Sequence, residues 1–484
     1  MSDFYERQLL WLTGICVVSL FIEHQVSKRK SASNADARRE KSGSVMLSVL
    51  MRQYLVVYAI VMCADWLQGP YVYSLYREQY GFPERLVAVL FVTGFVSAGL
   101  TAPLVGAWAD QYGRRRLCLV FCVTYTITCC CILFPYLPIL LLGRVFGGIS
   151  TSILFSAFES WVVSASQTMG LPQSDLSLIL GRATLVNGFV AAGSGVVSNQ
   201  LVGYTHSFAS PFVASGALLA LSYVVIRGTW SENFGNSTEA GGATSAGGDL
   251  FQTRRLGQAW RIVQKDPLLL VLGFTQTCFE GGMYLFVFLW VPSLQEASYA
   301  FTQLPLGYIF SAFMVSMMLG SLLYTVIVSH VAPPVSNAQL PNPSATSASA
   351  DKTDNSLTLH AKLSSAVCAV SSLALAVSIK SKEEHTRFFA FCLFEACVGM
   401  YYPVQGMLRG TLISNEHRAT LSALFRVPLN IFVVVSLLTG VSSARYAVLS
   451  ATSLMLAVSS LLTGWVIVGK ADATRTANGR PLRG

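Results

Sequence analysis

The chain has 484 residues, of which 53% are hydrophobic and 12% charged, with a mean hydropathy of +0.54. That charged share is about half that of a soluble domain, so water is not the main solvent of this protein. The net charge of +9 comes from basic residues in the loops between apolar runs, which marks membrane topology and argues against a nucleic-acid surface.

Residues 1–26 contain an apolar run, Leu9 to Ile22, after the start SDFYER and before Lys28, Arg29 and Lys30. The run lacks a basic leading segment and a small-x-small cleavage site, so it is read as a retained transmembrane helix with its C-terminal side in the cytoplasm. Residues 27–52 follow as a basic cytoplasmic linker. Twelve further spans are predicted at about 53–75, 86–108, 117–137, 139–163, 178–200, 211–227, 266–291, 305–329, 359–379, 387–408, 419–440 and 446–469. They read as helices because lipid offers no partner to backbone N–H and C=O groups, and because these uniform runs do not alternate as barrel strands do.

Lys and Arg concentrate on the side that holds 27–52 and the C-terminus, which places both in the cytoplasm and Met1 outside. Two polar stretches interrupt the spans. Residues 228–265 separate six spans from six and are read as a flexible cytoplasmic loop between an N-terminal half, 53–227, and a C-terminal half, 266–470. The Pro/Ser/Ala-rich stretch 331–358 is read as a flexible cytoplasmic loop inside the second half, and 471–484 as a cytoplasmic tail. The sequon at Asn236 then faces the cytoplasm and stays unglycosylated. The eleven cysteines fall inside spans with no metal-ligand spacing, and are read as buried, reduced thiols.

The halves repeat one another. Cys63 and Asp65 in the first span match Cys278 and Glu280 in the seventh; Arg144 stands four before Gly148 as Glu395 stands four before Gly399. LSLILGRATLVN in the fifth span matches LSALFRVPLN in the eleventh and pairs Arg182 with Arg426. Charges embedded in lipid cost roughly 2.5–3.5 kcal/mol each on insertion scales, so those that persist face a partner or a wet cavity. Arginine offers planar, permanently charged donors that match oxyanions. Arg182, Arg426 and Arg144 are therefore the candidate anion contacts, with Asn187, Asn430 and Gln68 as neutral hydrogen-bonding partners. Asp65, Glu280, Glu159 and Glu395 either neutralise arginines or carry protons. The alternative for any one of these residues is an ion pair that locks helices together.

Between the second and third spans stands GAWADQYGRRR (106–116), the pattern G-x-x-x-D-x-x-G-R-R in a tight cytoplasmic loop. Gly113 permits the turn, Asp110 can cap or pair, and Arg114 and Arg115 anchor at the headgroup level; Gly106 opens the pattern. This loop resembles the signature loop of the major facilitator superfamily, where it acts in gating, although Gln111 replaces the usual basic residue. ADWLQGPYVYSLY (64–76), LLGRVFGGISTSILFSAFESW (141–161), FVFLW (286–290) and FRVPL (425–429) together resemble the eukaryotic molybdate-anion transporter branch of that superfamily, from about Tyr54 to Val468.

The resemblance implies an all-α polytopic membrane protein: a major facilitator fold of two six-helix halves plus one extra N-terminal transmembrane helix. It also implies uptake of molybdate into the cytoplasm by alternating access, with no cofactor. A dianion entering an inside-negative cell opposes about 2.3 kcal/mol per charge per 100 mV, which makes a proton a candidate co-substrate. Expected partners are molybdate or a similar oxyanion and the lipid bilayer, with no nucleic acid. The expected location is the plasma membrane, with a vacuolar or other endomembrane as the alternative. Competing readings are a facilitator for sulfate or another small solute, and a receptor or scaffold with a transporter body. An enzyme is not expected, since no nucleophile-and-base set, phosphate loop or metal cluster lies outside the spans.

Overall fold

A computed structural model describes residues 2–32, 41–234, 260–298 apart from 262, 303–331, 346–413, 418–440 and 445–470, and contains no strand among them. The long helices are α1 (Ser2–Ala32), α2 (Lys41–Trp66), α3 (Glu84–Tyr112), α4 (Arg114–Cys131), α5 (Leu137–Thr168), α6 (Gln173–Thr205) and α7 (Ser210–Thr229). They continue as α8 (Pro267–Ala297), α9 (Leu306–Val331), α10 (Thr346–Lys380), α11 (Glu384–Leu412), α12 (Arg418–Gly440) and α13 (Arg445–Leu462), the last running on into a π-helical stretch, Thr463–Val468. Every predicted span overlaps one of them. Eleven are long and apolar enough to cross a membrane; α4 and α12 fall outside that set, α12 offering a shorter apolar stretch, Leu424–Thr439. Proline sits in the first turn of α5, α7 and α8, where its missing N–H costs nothing, and the Asp266 carboxylate caps α8 by accepting from the Leu268 N–H at 2.9 Å.

Several boundaries differ from the expectations. The linker 27–52 is helical over most of its length, because α1 runs to Ala32 and α2 starts at Lys41. The first span is not one helix to residue 75. It stops at Trp66, turns through 67–71, and resumes as Val72–Ser74 and a π-helical turn, Leu75–Gln79. Gly69 and Pro70 account for the break, since Pro70 lacks the N–H that would continue the ladder. The loop 331–358 shortens, because α10 begins at Thr346 in a polar but helix-compatible segment, TSASADKTDNSL. At the start of the loop 228–265, α7 runs on to Thr229. Trp230 to Phe234 have a defined path, whereas Asn236 lies outside the described residues. Among the cysteines, all free, Cys130 is exposed and Cys63 and Cys131 are half-buried, so not every thiol is buried.

In α1 the less exposed residues Tyr5, Gln8, Leu9, Leu12, Cys16, Ser19, Leu20 and Glu23 recur every three or four positions, while Leu10, Trp11, Ile15, Val18 and Phe21 are exposed. That is one narrow packing seam and a broad apolar face suited to lipid.

The chain divides into two compact units. The first takes the described residues of Met1–Trp11, His24–Gln252 and Gln303–Val315; the second those of Leu12–Glu23, Thr253–Thr302 and Ser316–Gly484. In the first unit, Tyr54, Phe121, Phe158 and Trp161 are each no more than 2% exposed, and the Trp230 ring stacks on Trp161 at 3.8 Å. Helix α5 approaches α3 at Gly148, where a Cβ would meet the Gly94 carbonyl at 2.5 Å and Ser97 Cβ at 2.6 Å.

In the second unit the same arrangement recurs: a Cβ on Gly399 of α11 would collide with the Met317 carbonyl of α9, and one on Gly320 with the Ala396 carbonyl. Helices α10 and α13 are joined by reciprocal hydroxyl bonds one heptad apart. Ser372 Oγ donates to the Ser453 carbonyl at 2.7 Å and Ser453 Oγ to the Ser372 carbonyl at 2.8 Å; Ser365 and Ser460 exchange the same bonds at 2.9 and 2.7 Å. In lipid, where apolar burial drives little association, such small-residue contacts and interhelical hydrogen bonds hold helices together.

Gly399→Leu is expected to destabilise the second unit by about 3 kcal/mol or more, since overpacking here meets backbone rather than a movable side chain. Thermal unfolding in detergent, followed by size-exclusion chromatography, measures it; Gly406→Leu, where a Cβ meets nothing within 4 Å, is the matched control.

Candidate functional site

At the break in the first span three polar residues are held by partners within the first unit. The Asp65 carboxylate accepts from Tyr125 Oη of α4 at 2.6 Å. Trp66 Nε1 donates to Asn187 Oδ1 of α6 at 2.8 Å. Gln68 is buried, and its Nε2 donates to Ser215 Oγ of α7 at 2.8 Å and to the Ala64 carbonyl at 3.2 Å. Counted from Arg52 at the cytoplasmic end, Asp65 lies about 20 Å along the helix, near the middle of a ~30 Å hydrocarbon layer. Gln68 and Asn187 are thus tied into the helix packing around the break, an arrangement that leaves Asp65 half-buried beside it.

Arg144 of α5 is placed differently. Its guanidinium carbon stands 5.1 Å from the Tyr76 ring centroid and 5.0 Å from that of Phe91, so two aromatic faces hold the cation. Its Nε and Nη2 are buried without an acceptor. Arg182 of α6 is exposed on the unit, and its Nη1 meets only a thioether, Met51 Sδ, at 2.8 Å. It lines a cavity of about 870 Å³ with Arg52, Ser48, Ser174, Asp175 and apolar residues of α2 and α6. Glu159 is exposed on α5.

In the second unit Glu280 of α8 accepts from Arg409 Nη2 of α11 at 2.9 Å, from Gln276 Nε2 at 3.2 Å and from Tyr401 Oη at 3.4 Å. Glu280 is therefore a charge pair. Its partner escaped the sequence reading because Arg409 lay just beyond the predicted end of the tenth span, whereas α11 runs on to Leu412. Arg426 and Asn430 of α12 are exposed on the unit. Glu395 of α11 is 5% exposed and forms no hydrogen bond or ion pair with a described residue.

In the loop before α4, Gly113 has φ +99°, a left-handed conformation that favours glycine, and a Cβ there would meet the Glu232 carboxyl at 2.6 Å. Glu232 sits over the N-terminus of α4, accepting from the Arg115 N–H at 2.9 Å and the Arg116 N–H at 3.1 Å. The Arg114 N–H donates to the Asn233 carbonyl at 3.0 Å, and Arg115 Nη2 to the Arg227 carbonyl at 2.7 Å. A carboxylate at a helix N-terminus is stabilised by the unsatisfied N–H groups and the helix dipole. Arg115 thus ties the start of α4 to the end of α7. Gly106 has open space around it, and the Asp110 side chain lies outside the described residues.

A family model described as sugar transporters with 12 transmembrane segments matches residues 18–339. Molybdate-anion transporters from Takifugu rubripes, Xenopus tropicalis and Danio rerio are 31%, 31% and 29% identical, over 80%, 88% and 98% of this chain and 78%, 86% and 97% of theirs. The chain belongs to the molybdate-anion transporter family of the major facilitator superfamily. The nucleoside transporter NupG, in the crystal structure of a point mutant, aligns with a TM-score of 0.64 over 86% of this chain and 99% of its own, at 10% identity, which shows a shared fold. The protein is a multi-pass membrane transporter and not an enzyme.

Two outcomes follow from the geometry. Arg409→Ala strands the Glu280 carboxylate and is expected to cost about 3–5 kcal/mol in thermal stability, most of which the double variant with Glu280→Gln restores. Glu232→Ala removes a charged acceptor from two backbone N–H groups and is expected to cost about 1.5–3 kcal/mol, read from hydrogen exchange at residues 114–117.

Proposed function

We propose that this transporter carries molybdate, or a closely similar tetrahedral oxyanion, across the plasma membrane into the cytoplasm by alternating access. The observation that carries the reading is that Arg144, Arg182 and Arg426 form no ion pair with a described carboxylate, whereas Arg387, Arg409 and Arg445 each have one. An arginine inside a membrane segment with no counter-ion is expensive unless it meets water or an anion. A guanidinium matches two oxygens of an oxyanion at once, and the buried Nε–H and Nη2–H of Arg144 lack acceptors that such an anion would supply.

The names of the relatives support molybdate as the cargo. Arg182 and Arg426 stand at repeat-related positions in the sequence. In this reading Asn430 supplies a further hydrogen bond, while Gln68 and Asn187 brace the broken first span beside Asp65. The dianion's entry against an inside-negative potential calls for accompanying positive charge, for which a proton is the candidate.

Molybdate uptake by cells expressing the full chain, with surface protein quantified, tests the reading. Arg182→Ala and Arg426→Ala are each expected to lower uptake about 10- to 100-fold, the loss of charge-assisted hydrogen bonds worth about 1.5–3 kcal/mol. Wild-type uptake rates in both variants at equal surface protein would remove them from the anion path. Excess sulfate in the same assay reports whether the site distinguishes the two dianions.

A further inference from the structure

We infer that Glu395 carries a proton together with the transported anion, an inference that rests on the oxyanion reading above and names its co-substrate and the group that binds it. Among the embedded carboxylates, Glu280 is committed to Arg409 at 2.9 Å and Asp65 accepts from Tyr125 at 2.6 Å. Glu159 is exposed on its unit, where water or a cation can meet it. Glu395 alone of these four is both buried, at 5% exposure, and without a hydrogen-bond or ion-pair partner among the described residues. An ionised carboxylate in such a place is strongly disfavoured, and the group resolves the conflict by holding a proton.

Among the described residues the surroundings offer no cation that would stabilise its anion. On α11 itself the titratable neighbours are the Cys392 thiol and the Tyr402 phenol. From α9, the helix against the same face, come Ser316, which bonds Cys392, and the close backbone of Met317 at Gly399. From α8, Phe279 stacks on Phe394 at 6.1 Å, and the two charged side chains that reach α11, Glu280 and Glu296, are paired with Arg409 and Arg387. From α10 the titratable neighbour of this face is the Cys368 thiol beside Cys397. No cation faces Glu395 from these helices among the described residues.

Glu395 lies eleven residues into α11, about 17 Å from its outer end and hence near mid-membrane. A carboxyl there can exchange its proton only in a conformation that admits water. That restriction is what a carrier requires. The proton is taken from water on the outer side, held while Glu395 is dry, and returned to water on the cytoplasmic side when the helices around it part. No bond other than O–H forms or breaks, and each proton offsets one charge of the dianion.

The test uses the purified full chain in proteoliposomes, with molybdate counterflow at equal pH and molybdate uptake under an imposed inward proton gradient measured side by side. A fluorescent pH dye inside the vesicles follows proton entry. For wild type, adding molybdate is expected to acidify the lumen, and one unit of pH gradient to raise accumulation about tenfold per proton carried. Glu395→Gln is expected to abolish both effects while still exchanging labelled molybdate, and Glu395→Asp to retain them. Counterflow without molybdate-dependent proton entry in wild type, or a full gradient response in Glu395→Gln, overturns the inference and leaves the oxyanion reading standing. Absence of wild-type counterflow overturns both.

A second measurement needs no variant. A hydrophobic carbodiimide adds across the O–H of a protonated carboxyl, so peptide mass spectrometry of the labelled wild type is expected to find the adduct at Glu395 and not at Glu280. Failure to label Glu395 counts against the inference.

Discussion

A hydrocarbon layer leaves charged and hydrogen-bonding groups no solvent, and the architecture follows from the ways this chain meets that demand. Backbone groups of the described residues are satisfied within long helices, and where the first span breaks at 67–71 the side chains around it, Gln68 and Asp65 among them, bond to neighbouring helices. Embedded charges are met in distinct ways. Glu280 has an arginine, Arg144 has two aromatic faces, and Arg182 has only a thioether and an open cavity.

The duplication separates what geometry requires from what chemistry requires. Gly148 and Gly399 perform the same task in their two units, letting one helix lie against the backbone of another. Four residues before each glycine, however, one half has a permanent cation and the other an ionisable acid. Asp65 and Glu280 likewise share a position but not a partner: a tyrosine hydroxyl serves one and an arginine the other. Backbone packing tolerates little change because atoms collide, whereas the side-chain partners diverge freely as long as each charge remains compensated.

The cytoplasmic loop shows how one carboxylate can organise a motif. Glu232 follows the sixth span, far in sequence from the glycine and arginines it contacts. Its seat over α4 requires the missing side chain of Gly113, and Trp230, stacked on Trp161, holds the segment that carries it. The arginines of the loop thus join the cytoplasmic ends of the helices within one unit, through backbone amides and carbonyls as much as through charge.

Hydropathy and the bias of Lys and Arg determined the number and type of elements, because the length of an apolar run and the cost of moving basic residues across lipid are properties of the chain itself. The pairing of the halves was also legible, since duplicated residues keep their spacing. What only the tertiary structure decided was the state of each embedded charge. Sequence placed Glu280 and Glu395 in one class, but Arg409 reaches the first, whereas no hydrogen-bond or ion-pair partner among the described residues reaches the second. It offered Gln68 and Asn187 as neutral hydrogen-bonding groups but not that Gln68 Nε2 and Asn187 Oδ1 bond to neighbouring helices. Whether a buried polar group is satisfied depends on contacts a few ångströms long between helices remote in the chain, and no local pattern records them.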